Sequence, residues 1–198
     1  MSSTSTSSVD PRFKRFIQAM TAVVSQHQDE PALLDAAEPL LVELIATADW
    51  LPSEYARPNE KTYQQFLLYR DPDEKFSVAS FIWGPGQQTP IHDHTVWGLV
   101  GVMQGAERCH HFELDAKGAW HDEGVHLLAR GKVDRVSPTI GDVHRVSNAL
   151  SDQVTISIHV YGADIGRVKR HVFEDGSFAS REFVSGYANA KPLLESLA

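Results

Sequence analysis

The sequence predicts an all-β-dominated domain, a barrel or a sandwich, preceded by a helical segment. From about Lys61 onward, short runs of residues alternate between two faces with a period of two. Turns rich in glycine, proline and aspartate separate these runs at nearly regular spacing, which is typical of sandwiches and barrels and not of βαβ units. The first fifty residues instead place their apolar side chains at helical spacing.

Two helical stretches are expected in this first segment. Asp10 and Pro11 provide an N-cap followed by a first-turn proline, and apolar residues then recur at helical spacing up to about residue 28. A second stretch is expected over about 31–50. Pro39 lies inside it and predicts a split or a kink, because proline cannot donate a backbone hydrogen bond.

Short strands are expected over the rest of the chain. The first, Thr62–Arg70, alternates so that Tyr63 and Gln65 share one face and Gln64 lies on the other. The later strands are expected at Phe76–Trp83, Val96–Met103, Glu107–Leu114, Val125–Ala129, Val143–Val146, Val154–Tyr161 and His171–Phe173.

The sequence contains no tandem repeat and no linker that would mark a second domain. One domain is therefore predicted for residues 9–198, with the helical segment at 9–50 and the barrel at about 61–184. Residues 1–8 are predicted to form a disordered polar tail.

Composition and charge exclude several classes of function. The formal net charge of −8 argues against nucleic-acid binding, because a phosphate-binding chain needs a basic surface. No stretch approaches the ~18 consecutive apolar residues of a membrane helix, so no membrane association is expected. The N-terminus lacks a basic segment followed by an apolar one, and the single cysteine, Cys109, suits a reducing compartment. The cytoplasm is the expected location.

Histidines in two segments predict a metal site. Gly86 is followed after five residues by His92-Asp93-His94, and on a strand these two imidazoles point to the same face. About fifty residues later come Gly141-Asp-Val-His144 and then Asn148. In a closed barrel, a pair on one hairpin and a third residue on the opposite strand can converge. Three neutral imidazoles leave coordination positions open for substrate and gas, and they also suit zinc or nickel.

These segments resemble the paired motifs of the cupin superfamily, glycine-x5-His-x-His-x3-Glu-x6-glycine and glycine-x2-His-x3-Asn. Gly105 closes the first motif at the expected spacing, but Gly98 stands in the glutamate position. The second motif has one residue more than usual between Pro138 and Gly141. The resemblance implies a cupin barrel, a double-stranded β-helix of jelly-roll type. Without the glutamate, the implied metal ligands are three neutral side chains, those of His92, His94 and His144.

In lacking this glutamate, the sequence also resembles the thiol dioxygenase branch of the cupins, which contains cysteine dioxygenase and 3-mercaptopropionate dioxygenase. Ser157, His159 and Tyr161 alternate along one expected strand and are similar to the Ser-His-Tyr series of that branch. Mammalian-type members carry a cysteine, cross-linked to the tyrosine, in the position of Gly98. This chain resembles the bacterial members instead, because its only cysteine is Cys109.

Membership of that branch implies Fe(2+) as the cofactor, and O2 and a small thiol carboxylate as the substrates. Both oxygen atoms are then transferred to sulfur, which gives a sulfinate. Tyr161 is the candidate for hydrogen bonding to bound dioxygen or to the polar end of the substrate. His159 would orient the tyrosine hydroxyl, and Ser157 would fix the tautomer of the histidine.

Two further residues are candidates for binding the substrate. Arg170 could pair with the substrate carboxylate, because guanidinium matches that group with two parallel hydrogen bonds. Cysteine dioxygenases carry a Tyr-x-Arg pattern on an early strand. The similar segment here is Tyr63-Gln64-Gln65, so Gln65 stands in the position of the arginine. A neutral amide at this position resembles the bacterial branch that prefers 3-mercaptopropionate, which we therefore expect in preference to L-cysteine.

Other interpretations stay open at this point. A non-catalytic metal-binding cupin, or a cupin oxygenase or isomerase acting on another small molecule, would use the same barrel. The oligomeric state is also open. Histidines outside the motifs are expected to be surface or packed residues: His27, His110, His111, His121 and His126.

Overall fold

The computed structural model describes residues 9–197, in which two helices precede two antiparallel sheets. The prediction for residues 1–8 lies outside this range. Helix α1 spans Pro11–Gln26 and α2 spans Glu30–Ile45, and a 3-10 turn at Ser53–Tyr55 leads to the first strand. Neither helix has the length and apolar character needed to cross a membrane.

The predicted split at Pro39 is wrong, because α2 continues through this residue as one helix. Both Pro39 and Asp35, four residues earlier, lie on the exposed side of α2. Water can therefore replace the hydrogen bond that proline removes, while the opposite side of the helix keeps its packing. The helix also ends at Ile45, five residues before the predicted end at Trp50.

Eleven strands follow the helices within residues 9–197. They are β1 (Gln64–Arg70), β2 (Ser77–Trp83), β3 (Ile91–His92), β4 (Gly98–Gln104), β5 (Ala106–Leu114), β6 (Trp120–Ala129), β7 (Val133–Val136), β8 (Val143–Asn148), β9 (Thr155–Tyr161), β10 (Arg170–Phe173) and β11 (Ser180–Phe183). The first sheet has the strand order β1-β2-β9-β4-β7, and the second has the order β11-β10-β3-β8-β5-β6.

Strands distant in the chain are neighbours in both sheets, as in a double-stranded β-helix. The predicted β-dominated cupin barrel with an N-terminal helical segment is therefore confirmed. Three strands were not predicted: β3, β7 and β11. β3 has only two residues, and the sequences of β7 and β11 are too short and too polar to show an alternating pattern.

The core consists of two clusters on opposite faces of the first sheet. On the outer face, the two helices pack on the sheet. Gly101 of β4 allows the close approach of α2, since a Cβ there would lie 3.0 Å from Ile45 and 3.1 Å from Leu41. On the inner face, apolar side chains of both sheets form a second cluster inside the barrel, which includes Trp83, Val100, Val146 and Tyr161. Part of this cluster borders the candidate site.

Candidate metal centre

The three motif histidines converge inside the barrel. His92 ends β3 and is paired in register with His144 of the adjacent strand β8, and His94 follows two residues after His92. Their ring centroids are 4.8 to 4.9 Å apart in all three pairs. All three side chains are buried, and one nitrogen of each lies within 4.8 Å of the others, so the three histidines could hold a metal ion.

Hydrogen bonds orient two of the rings. Nδ1 of His92 lies 3.1 Å from the carbonyl oxygen of Pro90, and Nδ1 of His94 lies 3.0 Å from Oδ1 of Asp142. In each ring this leaves Nε2 for another partner. Nε2 of His94 is buried and has no hydrogen-bond partner among the described residues. An orphaned buried nitrogen beside two further imidazoles fits a bound metal ion.

Sequence reasoning missed Asp142, although the residue lies inside the second motif. Its Oδ1 also accepts a hydrogen bond from the backbone N–H of His94, and its Oδ2 accepts one from the backbone N–H of Thr95. Thr95 has a φ of 62°, which is costly for a β-branched residue. Asp142 thus holds a strained turn beside a ligand.

The electrostatic environment keeps His92 and His144 neutral. Burial, with the neighbouring histidines as the next cause, lowers the pKa of His92 and of His144 well below the ordinary value. Neutral imidazoles can offer lone pairs to a metal. Asp93 lies between two ligands in the chain but bonds to His171 instead, with its Oδ2 2.8 Å from Nδ1 of that residue.

Gly98, in the position where cupins carry a glutamate, leaves no room for a side chain. A Cβ there would lie 2.7 Å from Cδ1 of Tyr161 and 3.0 Å from Cγ2 of Val136, so the tyrosine ring occupies that space. The candidate ligand set therefore consists of three histidines, with no carboxylate from this position. A bound divalent ion would keep its full charge and would attract an anionic ligand.

Ser157, His159 and Tyr161 form one hydrogen-bonded chain along β9. The Ser157 hydroxyl lies 2.8 Å from Nε2 of His159, and Nδ1 of His159 lies 2.8 Å from the Tyr161 hydroxyl oxygen. The indole N–H of Trp83 donates to the serine oxygen at 3.2 Å. Burial lowers the pKa of His159 and raises that of Tyr161, so the chain consists of a neutral imidazole and a protonated phenol.

Glu107 lies next to the Ser157 end of this hydrogen-bonded series, and sequence reasoning also missed it. Its side chain is fully buried, and neither carboxyl oxygen makes a hydrogen bond among the described residues, although Ser157 and Trp83 are its polar neighbours. Burial raises the pKa of Glu107 to about 7. No motif signals this residue, because one glutamate in a strand of mixed polarity reads as a surface charge.

Replacing Glu107 with glutamine is expected to remove a pH-dependent loss of stability. Folding raises the pKa from 4.5 to about 7. The protonated carboxyl therefore favours the folded state below pH 4.5, and this contribution is lost as the pH rises through 7. The loss amounts to about 3 kcal/mol at roughly 1.4 kcal/mol per pKa unit.

Urea unfolding of the wild type and the Glu107→Gln variant at pH 5 and pH 8 measures this effect. The free energy of unfolding of the variant, relative to that of the wild type, should be higher at pH 8 than at pH 5. Exposed Glu113 lies on the same strand, so Glu113→Gln serves as the matched control. Equal pH dependence in wild type and Glu107→Gln would show that the buried carboxyl does not ionise in this range.

A small cavity connects the metal centre to both substrate-binding candidates. Its wall includes two of the histidines, His92 and His144, together with His159, Tyr161, Arg170 and Gln65; the remaining lining residues are Tyr63, Phe81, Trp83, Thr89, Pro90, Val146, Phe183 and Ser185. The structure thus brings every predicted site residue to this cavity or directly behind it. His94 and Ser157 are the two that lie behind.

The chain matches a known protein family and is similar to solved structures. The model of the family described as cysteine dioxygenase type I matches residues 35–173. Among solved structures, a double-stranded β-helix protein from Klebsiella pneumoniae subsp. pneumoniae is 20% identical, with 56% of this chain and 85% of that chain covered and a TM-score of 0.45. A cupin protein from Ralstonia eutropha is 16% identical, with 63% and 69% covered and a TM-score of 0.43.

The family match spans most of the chain. It runs from α2 to the end of β10 and contains the three clustered histidines, the Ser-His-Tyr chain and Arg170. The chain therefore belongs to the cysteine dioxygenase type I family.

Proposed function

We propose that the chain is an iron(II)-dependent thiol dioxygenase that inserts both atoms of O2 into a small thiol carboxylate, with 3-mercaptopropionate favoured over L-cysteine. The observation that carries the proposal is the shared cavity, whose wall contains His92 and His144 and a buried arginine that forms no salt bridge among residues 9–197. Such a cavity suits a ligand with a metal-binding atom at one end and an anion at the other.

Arg170 supplies the cationic end. Its side chain is only 4% exposed, and its guanidinium lies 4.7 Å from the ring centroid of Phe183. One Nη atom donates to the Ser185 hydroxyl at 2.9 Å, but Nε is buried without a partner and the residue forms no salt bridge among residues 9–197. A buried cation without a counter-ion favours a carboxylate ligand.

Gln65 bears on the choice of thiol. It lines the cavity, is 8% exposed, and its Nε2 has no hydrogen-bond partner among the described residues, whereas the amide of Gln64 donates to the backbone carbonyl of Tyr63. None of the lining residues is an aspartate or a glutamate. The ammonium group of L-cysteine would lose its water without gaining a counter-ion, and this cost favours a thiol acid that has no amino group.

Each of the side chains at the cavity has a separate role in the proposed reaction. Iron(II), when bound, would bring the thiolate sulfur and dioxygen together and activate them, so that both oxygen atoms pass to sulfur and the thiol proton is released. Arg170 holds the carboxylate and so fixes the position of the sulfur. The Tyr161 hydroxyl provides a hydrogen bond at the open side of the metal centre. His159 and Ser157 hold that hydroxyl in place.

The proposed function is tested by dioxygen uptake with iron(II)-loaded protein. We expect a higher kcat/KM for 3-mercaptopropionate than for L-cysteine, and a sulfinate as the product. A preference for L-cysteine would support the thiol dioxygenase reaction but would contradict our interpretation of Gln65. Absence of uptake with either thiol would overturn the proposal and leave a metal-binding role or another cupin reaction.

Replacing Arg170 with methionine should mainly raise KM for a carboxylate thiol, by about 10- to 100-fold, because a hydrogen-bonded charge pair contributes roughly 1.5 to 3 kcal/mol. Methionine keeps much of the buried volume and removes the charge. The measurement is steady-state kinetics with 3-mercaptopropionate, compared with cysteamine, a thiol that has no carboxylate. If the ratio of the KM values for the two thiols is the same in the wild type and in Arg170→Met, Arg170 does not bind the substrate carboxylate.

A further inference from the structure

A second group of side chains of the types that bind metals lies between the two sheets, outside the set of residues that line the cavity. Cys109 of β5 and His126 of β6 are paired in register, and Asp134 comes from β7 of the first sheet. One donor atom from each lies within 4.8 Å of the other two. Cys109 and His126 are partners in the β5–β6 hairpin, and the next strand, β7, crosses to the other sheet and brings Asp134 to them.

A further imidazole joins this group. His111 lies two residues from Cys109 on the same face of β5, and its Nε2 is 3.4 Å from Oδ2 of Asp134. Nε2 of His126 is 3.2 Å from the same oxygen, and the two rings are stacked with centroids 5.0 Å apart. Asp134 thus contacts both imidazoles, and His111 lies beside the three donors of Cys109, His126 and Asp134.

The close contacts in this group are not hydrogen bonds. Oδ2 of Asp134 is buried, yet it has no hydrogen-bond partner among the described residues, although two imidazole nitrogens lie within 3.4 Å. Neither nitrogen therefore approaches the oxygen in donor geometry. Ring nitrogens and a carboxylate oxygen that lie close together without donating to one another are arranged as the ligands of a common cation are.

The charge around the group also favours a cation. Asp134 and Glu107 are the acidic neighbours of Cys109, whose thiol pKa is raised first by burial and then by these two carboxyl groups. Arg135 follows Asp134 in β7, but its guanidinium pairs with Asp35 and Glu38 of α2 on the outside of the sheet. The thiol is therefore neutral until a metal displaces its proton.

We propose that Cys109, His111, His126 and Asp134 form a second metal site, which takes a borderline divalent cation of the zinc type. Cysteine, histidine and aspartate are the ligands that zinc uses, and four of them complete a tetrahedral structural site. A cation here would join β7 of the first sheet to β5 and β6 of the second. The site shares no ligand with the His92/His94/His144 centre, and it does not depend on the dioxygenase proposal.

Cobalt(II) binding by the full-length His144→Ala protein tests the proposal, because this substitution removes a ligand of the first centre. We expect one tightly held equivalent of cobalt with sulfur-to-metal charge-transfer absorption. Only Cys109 can supply that absorption, since the chain has one cysteine. Zinc should displace the cobalt and abolish the absorption.

Two additional substitutions in the same background locate the site. Cys109→Ser should remove the charge-transfer absorption, and His126→Gln should remove the bound equivalent. His126 is 45% exposed, so its replacement is compatible with folding. His121→Gln, at an exposed histidine outside the group, is the matched control and should change neither signal. The proposal is overturned if His144→Ala binds no cobalt through sulfur, or if His126→Gln retains the bound equivalent.

Discussion

The His144→Ala protein is expected to lose the metal of the first centre, and with it at least ~100-fold in kcat/KM for the preferred thiol. In the proposed site His144 supplies one of three ligands, and no carboxylate from position 98 can replace it. Two histidines on one short segment cannot hold the ion in the buried cavity, since most of the binding free energy depends on the full ligand set. Even loss of a group that only supports a ligand typically costs 10- to 100-fold.

Iron analysis after loading and desalting, together with dioxygen uptake, measures this effect. His121→Ala is the matched control, because His121 is an exposed histidine that bonds to Asp115 far from the cavity. Circular dichroism and thermal unfolding show whether the variant remains folded. Full activity with full iron content in the His144→Ala protein would exclude His144 as a ligand.

The Tyr161→Phe protein is expected to keep its iron while kcat falls by about 10- to 100-fold. The phenol ring stacks on His94 with centroids 5.4 Å apart, and phenylalanine preserves this contact. Only the hydroxyl is lost, and with it the hydrogen bond that the His159 chain positions at the metal centre. Loss of one positioned donor in an enclosed site typically reduces turnover by about this amount or more.

Steady-state kinetics and iron content of Tyr161→Phe are compared with those of Ser157→Ala, which breaks the same chain at its other end. Ser157→Ala should lower kcat less, because the tyrosine hydroxyl is still present. Tyr55→Phe, which removes a hydroxyl outside the barrel, should leave kcat unchanged. An unaltered kcat in Tyr161→Phe would show that the hydroxyl takes no part in turnover.

The spacing of residues made much of the site predictable. His92 and His94 are two residues apart and His144 follows a glycine at fixed spacing, so local sequence identifies them as a group. In β9, Ser157, His159 and Tyr161 alternate with aliphatic residues, so the sequence alone assigns the three to one face of the strand. In both cases the chemistry lies within one or two short segments.

Other features depend on tertiary packing and could not be predicted in this way. The donors of the second group come from β5, β6 and β7, and β7 was not predicted as a strand, so nothing in the sequence relates Asp134 to Cys109. The continuity of α2 at Pro39 depends on which side of the helix faces water. The burial of Glu107 depends on the closure of the barrel around it.

The contact between Gly98 and Tyr161 has a consequence for how the active protein is produced. Packing and the hydrogen bond to His159 fix the phenol ring, and the space that a cross-linking side chain at position 98 would need is already filled. The only thiol, Cys109, is buried on a different strand. A newly synthesised chain would therefore need no covalent self-processing, and its turnover should begin without a lag and should not rise with the age of the preparation.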